Sequence, residues 1–97
     1  MTRAELLEKL RELKPWLEEQ GIVNVRLFGS YARDEAGPDS DVDLLIDETR
    51  PLSGSWGRLD AETSLSERLG IEVEMISDRN LTNPYIRYTA ERDAVAV

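Results

Sequence analysis

Apolar residues in the first twenty positions recur with the spacing of an α-helix. Four leucines are separated by four, three and four residues: Leu6, Leu10, Leu13 and Leu17. Thr2 and Glu5 have the spacing of a capping box, so the pattern predicts a helix over residues 3–20 that ends at Gly21. Because Pro15 lies inside this run and removes one backbone hydrogen bond, we expect one helix with a kink or break before it.

Shorter apolar runs further along the chain predict strands, with turns and helices between them. The strands are expected at residues 23–28, 41–47 and 71–76, with a further edge strand at 94–97. The helices are expected at 57–69, which Gly70 ends, and from Pro84 to Arg92, with Asn83 as its cap. A short helix is expected to begin at Tyr31, and residues 49–57 are expected to form a loop.

Two aspartates open the second predicted strand. Asp41 and Asp43 are two residues apart, about 7 Å along a strand, so both carboxylates point to one face. Val42, Leu44 and Ile46 alternate with them and are expected in the core. Paired carboxylates suit Mg²⁺ or Mn²⁺. The alternative is a solvated strand face on an acidic protein.

A Gly-Ser pair precedes this strand by eleven residues. Gly29 allows close approach of the backbone, Ser30 offers a hydroxyl, and a helix beginning at Tyr31 would point free amides outward. Together with the aspartates, this pattern predicts a phosphate site that faces a metal site and binds a nucleoside triphosphate. The alternative is ordinary turn and helix-cap chemistry.

Composition narrows the chemistry and the partners. The 97 residues carry a net charge of −8, and they contain no Cys and no His. Ninety-seven residues predict a single domain over 1–97, and the charge disfavours direct nucleic-acid binding and favours a basic partner protein. Catalysis must then use carboxylates, hydroxyls and a metal. Since there is no long apolar span, we expect no membrane segment and a cytoplasmic location. The sequence is also compatible with a homo-oligomer.

The central motif resembles that of a known superfamily. Gly29-Ser30-Tyr31-Ala32-Arg33 followed by Ser40-Asp41-Val42-Asp43-Leu44 is similar to the active-site motif of DNA polymerase beta type nucleotidyltransferases. The short chain resembles the minimal nucleotidyltransferase (MNT) branch, and the match extends over almost its whole length. The resemblance implies an α+β nucleotidyltransferase fold, with a small mixed sheet of three to four strands packed against helices.

The resemblance also implies roles for individual residues. Asp41 and Asp43 would hold two Mg²⁺ ions, with Mn²⁺ as a substitute, and Gly29 and Ser30 would bind the phosphates of ATP. The family's third carboxylate, usually an Asp on a later strand, corresponds to Glu74, which would act as a catalytic and metal-binding residue. Glu is one methylene longer than Asp, which is a departure from the family pattern.

Two of these assignments have rivals in the sequence. Glu72 is the nearest competitor of Glu74, and a solvated Glu74 is the plain alternative. Arg33 shares a helical face with Ser30 and could bind a phosphate. Arg33 could equally pair with one of the acids near it in sequence, Asp34, Glu35 or Asp39.

The function that the resemblance implies is transfer of AMP from ATP to a hydroxyl of a partner protein. The MNT branch resembles the antitoxins of HEPN-type helical ribonuclease toxins, in which a toxin tyrosine accepts the AMP. The first alternative is a catalytically weak or inactive binding module that neutralises its toxin by contact. The second takes Asp41-Val42-Asp43 as the metal motif of a nucleotide-sugar glycosyltransferase, although such enzymes need a much larger domain.

Overall fold

A computed structural model describes residues 1–50 and 57–97 of the chain. Helices and strands follow one another in a mixed order along it. Their bounds are α1 Arg3–Glu19, β1 Ile22–Phe28, β2 Val42–Glu48, α2 Arg58–Leu69, β3 Val73–Ser77, a 3₁₀ turn at Asp78–Asn80, α3 Pro84–Asp93 and β4 Val95–Ala96. Most of the loop predicted at residues 49–57 lies outside the described residues.

The strands form one mixed sheet in the order β3-β2-β1-β4. β1 is antiparallel to both β2 and β4, whereas β2 and β3 are parallel and are connected through α2. A parallel pair needs such a crossover, and a helix usually supplies it. The predicted α+β fold, with a small mixed sheet packed against helices, is confirmed.

Each face of the sheet has its own apolar cluster. Val42, Leu44 and Ile46 are buried with leucines of α1 and α2, as the alternating pattern predicted. Leu45 points the other way and packs with Leu81 and with Ala90 of α3. α1 and α2 therefore cover one face of the sheet and α3 covers the other.

The first helix is continuous through its proline. The Thr2 and Glu5 capping box forms, and the helix extends without a break to Glu19. Pro15 and Arg11, whose carbonyl loses a hydrogen bond, are both exposed to water. Because water can replace the lost bond while Leu17 stays buried, the proline is tolerated and no break is needed.

The short helix predicted from Tyr31 does not form, and this prediction is wrong. Residues 30–34 make turns, with Arg33 N–H donating to Gly29 C=O and Asp34 N–H to Tyr31 C=O, both at 3.1 Å. Asp34 has φ +60°, in the left-handed region, and ends the turn after one winding. The sequence pattern of this segment was too short to predict that the chain would leave the turn at Asp34. None of the helices in the described ranges is long and apolar enough to cross a membrane.

Candidate active site

Asp43 lies near the start of the central strand β2, on the face of the sheet that α3 covers. Its register partners are Phe28 on β1 and Glu74 on β3. Since register partners on neighbouring strands point to the same face, Glu74 lies beside Asp43. Asp41 is exposed and comes immediately before β2. The structure therefore brings the three predicted carboxylates to the end of the sheet where β2 and β3 begin.

The pKa of Asp43 is raised to about 6. Burial is the largest cause, followed by the negative charges of Glu74 and Asp41, and the positive charge of Arg33 opposes them. Glu72 is absent from these causes, which favours Glu74 as the carboxylate nearer to Asp43. Within residues 1–50 and 57–97, Asp43 forms no ion pair. A half-buried, uncompensated carboxylate among other acids is typical of a functional site.

Gly29 leaves room for the carboxylate of Asp43. Its φ is +78°, and a Cβ atom at this position would lie 2.5 Å from Asp43 Oδ2. Any other residue would be strained and would displace the carboxylate. The sequence predicted close approach of a phosphate here, and the structure shows a second reason for the glycine, since it directly adjoins Asp43.

The turn after Gly29 offers backbone donors. Its own hydrogen bonds are donated by the amides of residues 33, 34 and 35, the last of which donates to Ser30 C=O at 2.9 Å. The amides of Ser30, Tyr31 and Ala32 donate none of these bonds. Successive free amides in a turn can bind an anion without a helix. Three backbone amides therefore remain available to an anion at this turn, although the predicted helix is missing.

Arg33 forms ion pairs on two sides. Its Nη1 donates to Asp93 Oδ2 at 2.7 Å and its Nε to Glu35 Oε2 at 3.1 Å. Asp93 and then Glu35 raise the pKa of Arg33. Glu35 was one of the three partners weighed from the sequence. Asp93 was missed because it lies 60 residues away and no local pattern links the two.

The residues present can be tested against a bound metal ion. Among the described residues, no group of three or more acids could hold an ion by itself. The negative charges of Asp41 and Glu74 nevertheless raise the pKa of Asp43, so a cation there would relieve their repulsion. The carboxylates are the hard oxygen donors that Mg²⁺ uses together with substrate phosphates. This donor set fits an ion whose remaining ligands come from a nucleotide.

A cavity of about 620 Å³ adjoins Asp41. The described residues that line it include the acids Asp39, Asp41 and Glu72 and no Lys or Arg. Tyr31 and Ile71 add apolar surface. The acidic lining is unfavourable for a triphosphate, whereas the turn at residues 29–33 carries amides and an arginine. The cavity is therefore an acidic part of the site, and Arg33 does not line it.

Comparison with other proteins places this geometry in a family. Residues 3–97 match the nucleotidyltransferase domain family. A protein of Methanocaldococcus jannaschii named "Putative protein adenylyltransferase" is 37% identical over 97 residues, covering 99% of this chain and 98% of that protein. The protein adenylyltransferase MntA of Thermococcus cleftensis is 33% identical over 98 residues, covering 100% of this chain and 97% of MntA.

Solved structures agree with this match. A structure described as a "putative minimal nucleotidyltransferase" superposes with a TM-score of 0.76 at 32% identity, covering 100% of this chain and 97% of that one. A toxin-antitoxin structure with AMP-PNP has the same fold, with a TM-score of 0.73 at 19% identity over 92% of this chain and 69% of that one. The predicted nucleotidyltransferase activity class is confirmed, and the chain belongs to the nucleotidyltransferase domain family.

Proposed function

We propose that residues 1–97 form a single minimal nucleotidyltransferase domain that transfers AMP from ATP to a tyrosine hydroxyl of a partner toxin. The chain would then be the adenylylating antitoxin of a toxin–antitoxin pair. The observation that carries the proposal is Asp43, an uncompensated carboxylate directly beside the Gly29 turn. A protein that only needed a stable fold would gain by a neutral residue at this position.

In this proposal Asp41 and Asp43 hold Mg²⁺ together with the triphosphate oxygens. The metal would supply charge neutralisation of the phosphates and a lower pKa for the acceptor hydroxyl. The amides of Ser30, Tyr31 and Ala32 and the guanidinium of Arg33 would bind the phosphates. The amides and Arg33 therefore orient the triphosphate and offset its negative charge, and the two aspartates hold the metal.

The reaction itself is a displacement at that phosphorus. The tyrosine oxygen forms a bond to the α-phosphorus, and the bond from this phosphorus to the bridging β-phosphate oxygen breaks. Pyrophosphate leaves with the electron pair, and Glu74 accepts the hydroxyl proton as general base. Glu74 is exposed and lies beside Asp43, so its carboxylate is open to an acceptor that arrives from outside the chain.

The acceptor would enter on the acidic side of the site. The cavity beside Asp41 is also lined by Asp39 and Glu72, whose negative charges favour a basic protein segment. The net charge of −8 favours the same class of partner. The relatives support a protein acceptor, because two of them bear the name protein adenylyltransferase, and the toxin-antitoxin structure with AMP-PNP supports a toxin and a nucleotide. A HEPN-type ribonuclease is the toxin that we propose.

The test combines the purified chain, the purified protein encoded by the neighbouring reading frame, ATP and MgCl₂. We expect intact-mass spectra of the neighbouring protein to gain the mass of one or more AMP groups, located on tyrosine by fragmentation. Omission of Mg²⁺ and the use of AMP with pyrophosphate are the controls. No adduct at saturating ATP, with a parent chain that is folded, would refute adenylyl transfer to this partner.

The second candidate is neutralisation by contact alone. The observation in its favour is Glu74, which is exposed and one methylene longer than the family's Asp, so its carboxylate is less firmly placed. In that case the chain would form a complex with the toxin and abolish its ribonuclease activity without ATP. Equal inhibition with and without ATP, and by a variant that lacks Asp41 and Asp43, identifies this mode.

A further inference from the structure

A residue that the sequence did not single out contacts the nucleotide side of the site. The carboxylate of Asp93 accepts a hydrogen bond of 2.7 Å from Arg33 Nη1 and one of 3.1 Å from Arg92 Nε. Its side chain is only 8% exposed. Arg92 and then Arg33 lower the pKa of Asp93, so the carboxylate stays charged.

The backbone fixes Asp93 next to the Gly29 turn. Asp93 is the last residue of α3, and the following strand β4 pairs with β1, where Val95 is the partner of Leu27. Leu27 is two residues before Gly29. Ala90 of α3 is buried against the sheet. The helix before Asp93 and the strand after it are therefore both fixed by packing or pairing. Asp93 is thus a fixed point from which a flexible arginine can be oriented.

The two ion pairs of Arg33 differ in quality. Glu35 is 67% exposed and belongs to the same turn as Arg33, so it can move with the turn, and water screens its charge. Asp93 is shielded and is anchored by another element. The two pairs use two of the five guanidinium N–H groups, which leaves three for a ligand. The charge of Arg33 already reaches Asp43, whose pKa it lowers.

We propose that Asp93 is a positioning residue that holds the Arg33 guanidinium at the triphosphate side of the site. Asp93 does not contact the nucleotide and acts only through Arg33. The inference rests on the proposed function, because it needs Arg33 to bind a phosphate. Loss of the Asp93 carboxylate leaves Arg33 charged but free to adopt many rotamers, so each nucleotide that binds must order it again.

The test measures Mg-ATP affinity by calorimetry without the partner. We expect Arg33→Gln to weaken binding about 10-fold or more and Asp93→Asn about fivefold. Arg92→Gln removes the other partner of Asp93, and Glu35→Gln removes the exposed partner of Arg33. Both are matched controls and should stay within about twofold of the parent. Asp93→Glu, which keeps the charge, should recover most of the affinity.

A double-mutant cycle separates positioning from a role in the fold. If Asp93 acts through Arg33, adding Asp93→Asn to Arg33→Gln costs no further affinity. In transfer assays Asp93→Asn should raise the KM for ATP and leave the KM for the acceptor protein unchanged. Thermal melting checks that each variant is folded, and Asp93→Ser replaces Asp93→Asn should the latter not fold.

Three results would overturn the inference. One is parent-like ATP affinity in Asp93→Asn while Arg33→Gln is impaired. Another is an equal loss from Asp93→Asn with and without Arg33. The third is parent-like affinity in Arg33→Gln, which removes the phosphate role of Arg33 itself. Failure of the proposed function is distinct from all of these, because it is seen in the parent chain, as an absent AMP adduct on the partner, and not as a difference in ATP affinity between variants.

Discussion

β2 carries two carboxylates with limited exposure to water, and they differ in their hydrogen-bond and ion-pair partners. At its far end, Glu48 is only 5% exposed, and it accepts hydrogen bonds from the Ser77 hydroxyl and from Arg79 Nη2. At its near end, Asp43 faces two further acids and has no ion pair within the described residues. Both residues belong to the same strand, so neither strand geometry nor overall charge explains the difference.

Under the proposed function, Glu48 is a structural carboxylate and Asp43 is a functional one. Glu48 is compensated inside the protein, and its network connects the ends of β2 and β3. Asp43 carries its negative charge in a poorly solvated place, and this costs stability. Such a charge is typical of a site that a ligand completes. We therefore expect substitution of Asp43 to affect activity and substitution of Glu48 to affect stability.

The largest effect is expected for Asp43→Asn. Loss of this charge should slow AMP transfer on the order of 10³-fold, because the proposed metal ion would lose one of its carboxylate ligands. The free energy of unfolding should stay the same or rise, since repulsion with Glu74 and Asp41 is removed. Asp47→Asn, four residues further on the same strand face, is the control and should retain the transfer rate. Labelled AMP incorporation and urea denaturation measure the two quantities.

A second effect on activity is expected at the third carboxylate, Glu74. Glu74→Gln should slow transfer about 10²-fold with little change in Mg-ATP affinity, because its proposed role is proton acceptance. Glu74→Asp should retain activity, since it restores the family's usual residue. The control is Glu72→Gln, which should be as fast as the parent. Equal rates for Glu74→Gln and the parent, in the same labelled-AMP assay, would assign the base to another group.

The structural half is tested at Glu48. Glu48→Ala leaves the buried Ser77 hydroxyl without its acceptor, so we expect a loss of about 1–3 kcal/mol in the free energy of unfolding. The Glu48→Ala, Ser77→Ala double variant should lose less than the sum of the single losses. Activity per folded molecule should stay unchanged in all three. An inactive but stable Glu48→Ala would show that the far end of β2 takes part in function.

The sequence was sufficient for the fold class, and the structure places the predicted site carboxylates near one another. Periodicity and caps located the helices and strands apart from the short helix predicted at Tyr31, and the alternation of Val42, Leu44 and Ile46 correctly identified core positions of β2. Long-range side-chain contacts could not be predicted from the sequence. The link from Arg33 to Asp93 depends on how α3 and β4 return to β1, and the reversal at Asp34 depends on a single positive φ. The roles of the predicted site residues stay predictions.

The smallest expected effect is a pH dependence of stability that Asp43 causes. The pKa of Asp43 is about 6 in the folded chain and 3.8 as its ordinary value, so the folded state binds the additional proton between these limits. The stabilisation by this proton is fully present below about pH 4 and is lost as the pH rises to about 6.

The measurement is the difference in unfolding free energy between Asp43→Asn and the parent, in EDTA, from pH 4 to pH 7. We expect this difference to grow by about 1–2 kcal/mol in favour of the variant and to level off above pH 6.5, a magnitude that allows for partial exposure of the carboxylate. Subtraction removes the titration of acids that do not interact with Asp43, and the remaining difference reports Asp43 together with its neighbours Asp41 and Glu74. A pH-independent difference for Asp43→Asn would mean that Asp43 is better solvated or better paired than its surroundings indicate, and the contrast between the two ends of β2 would then be lost.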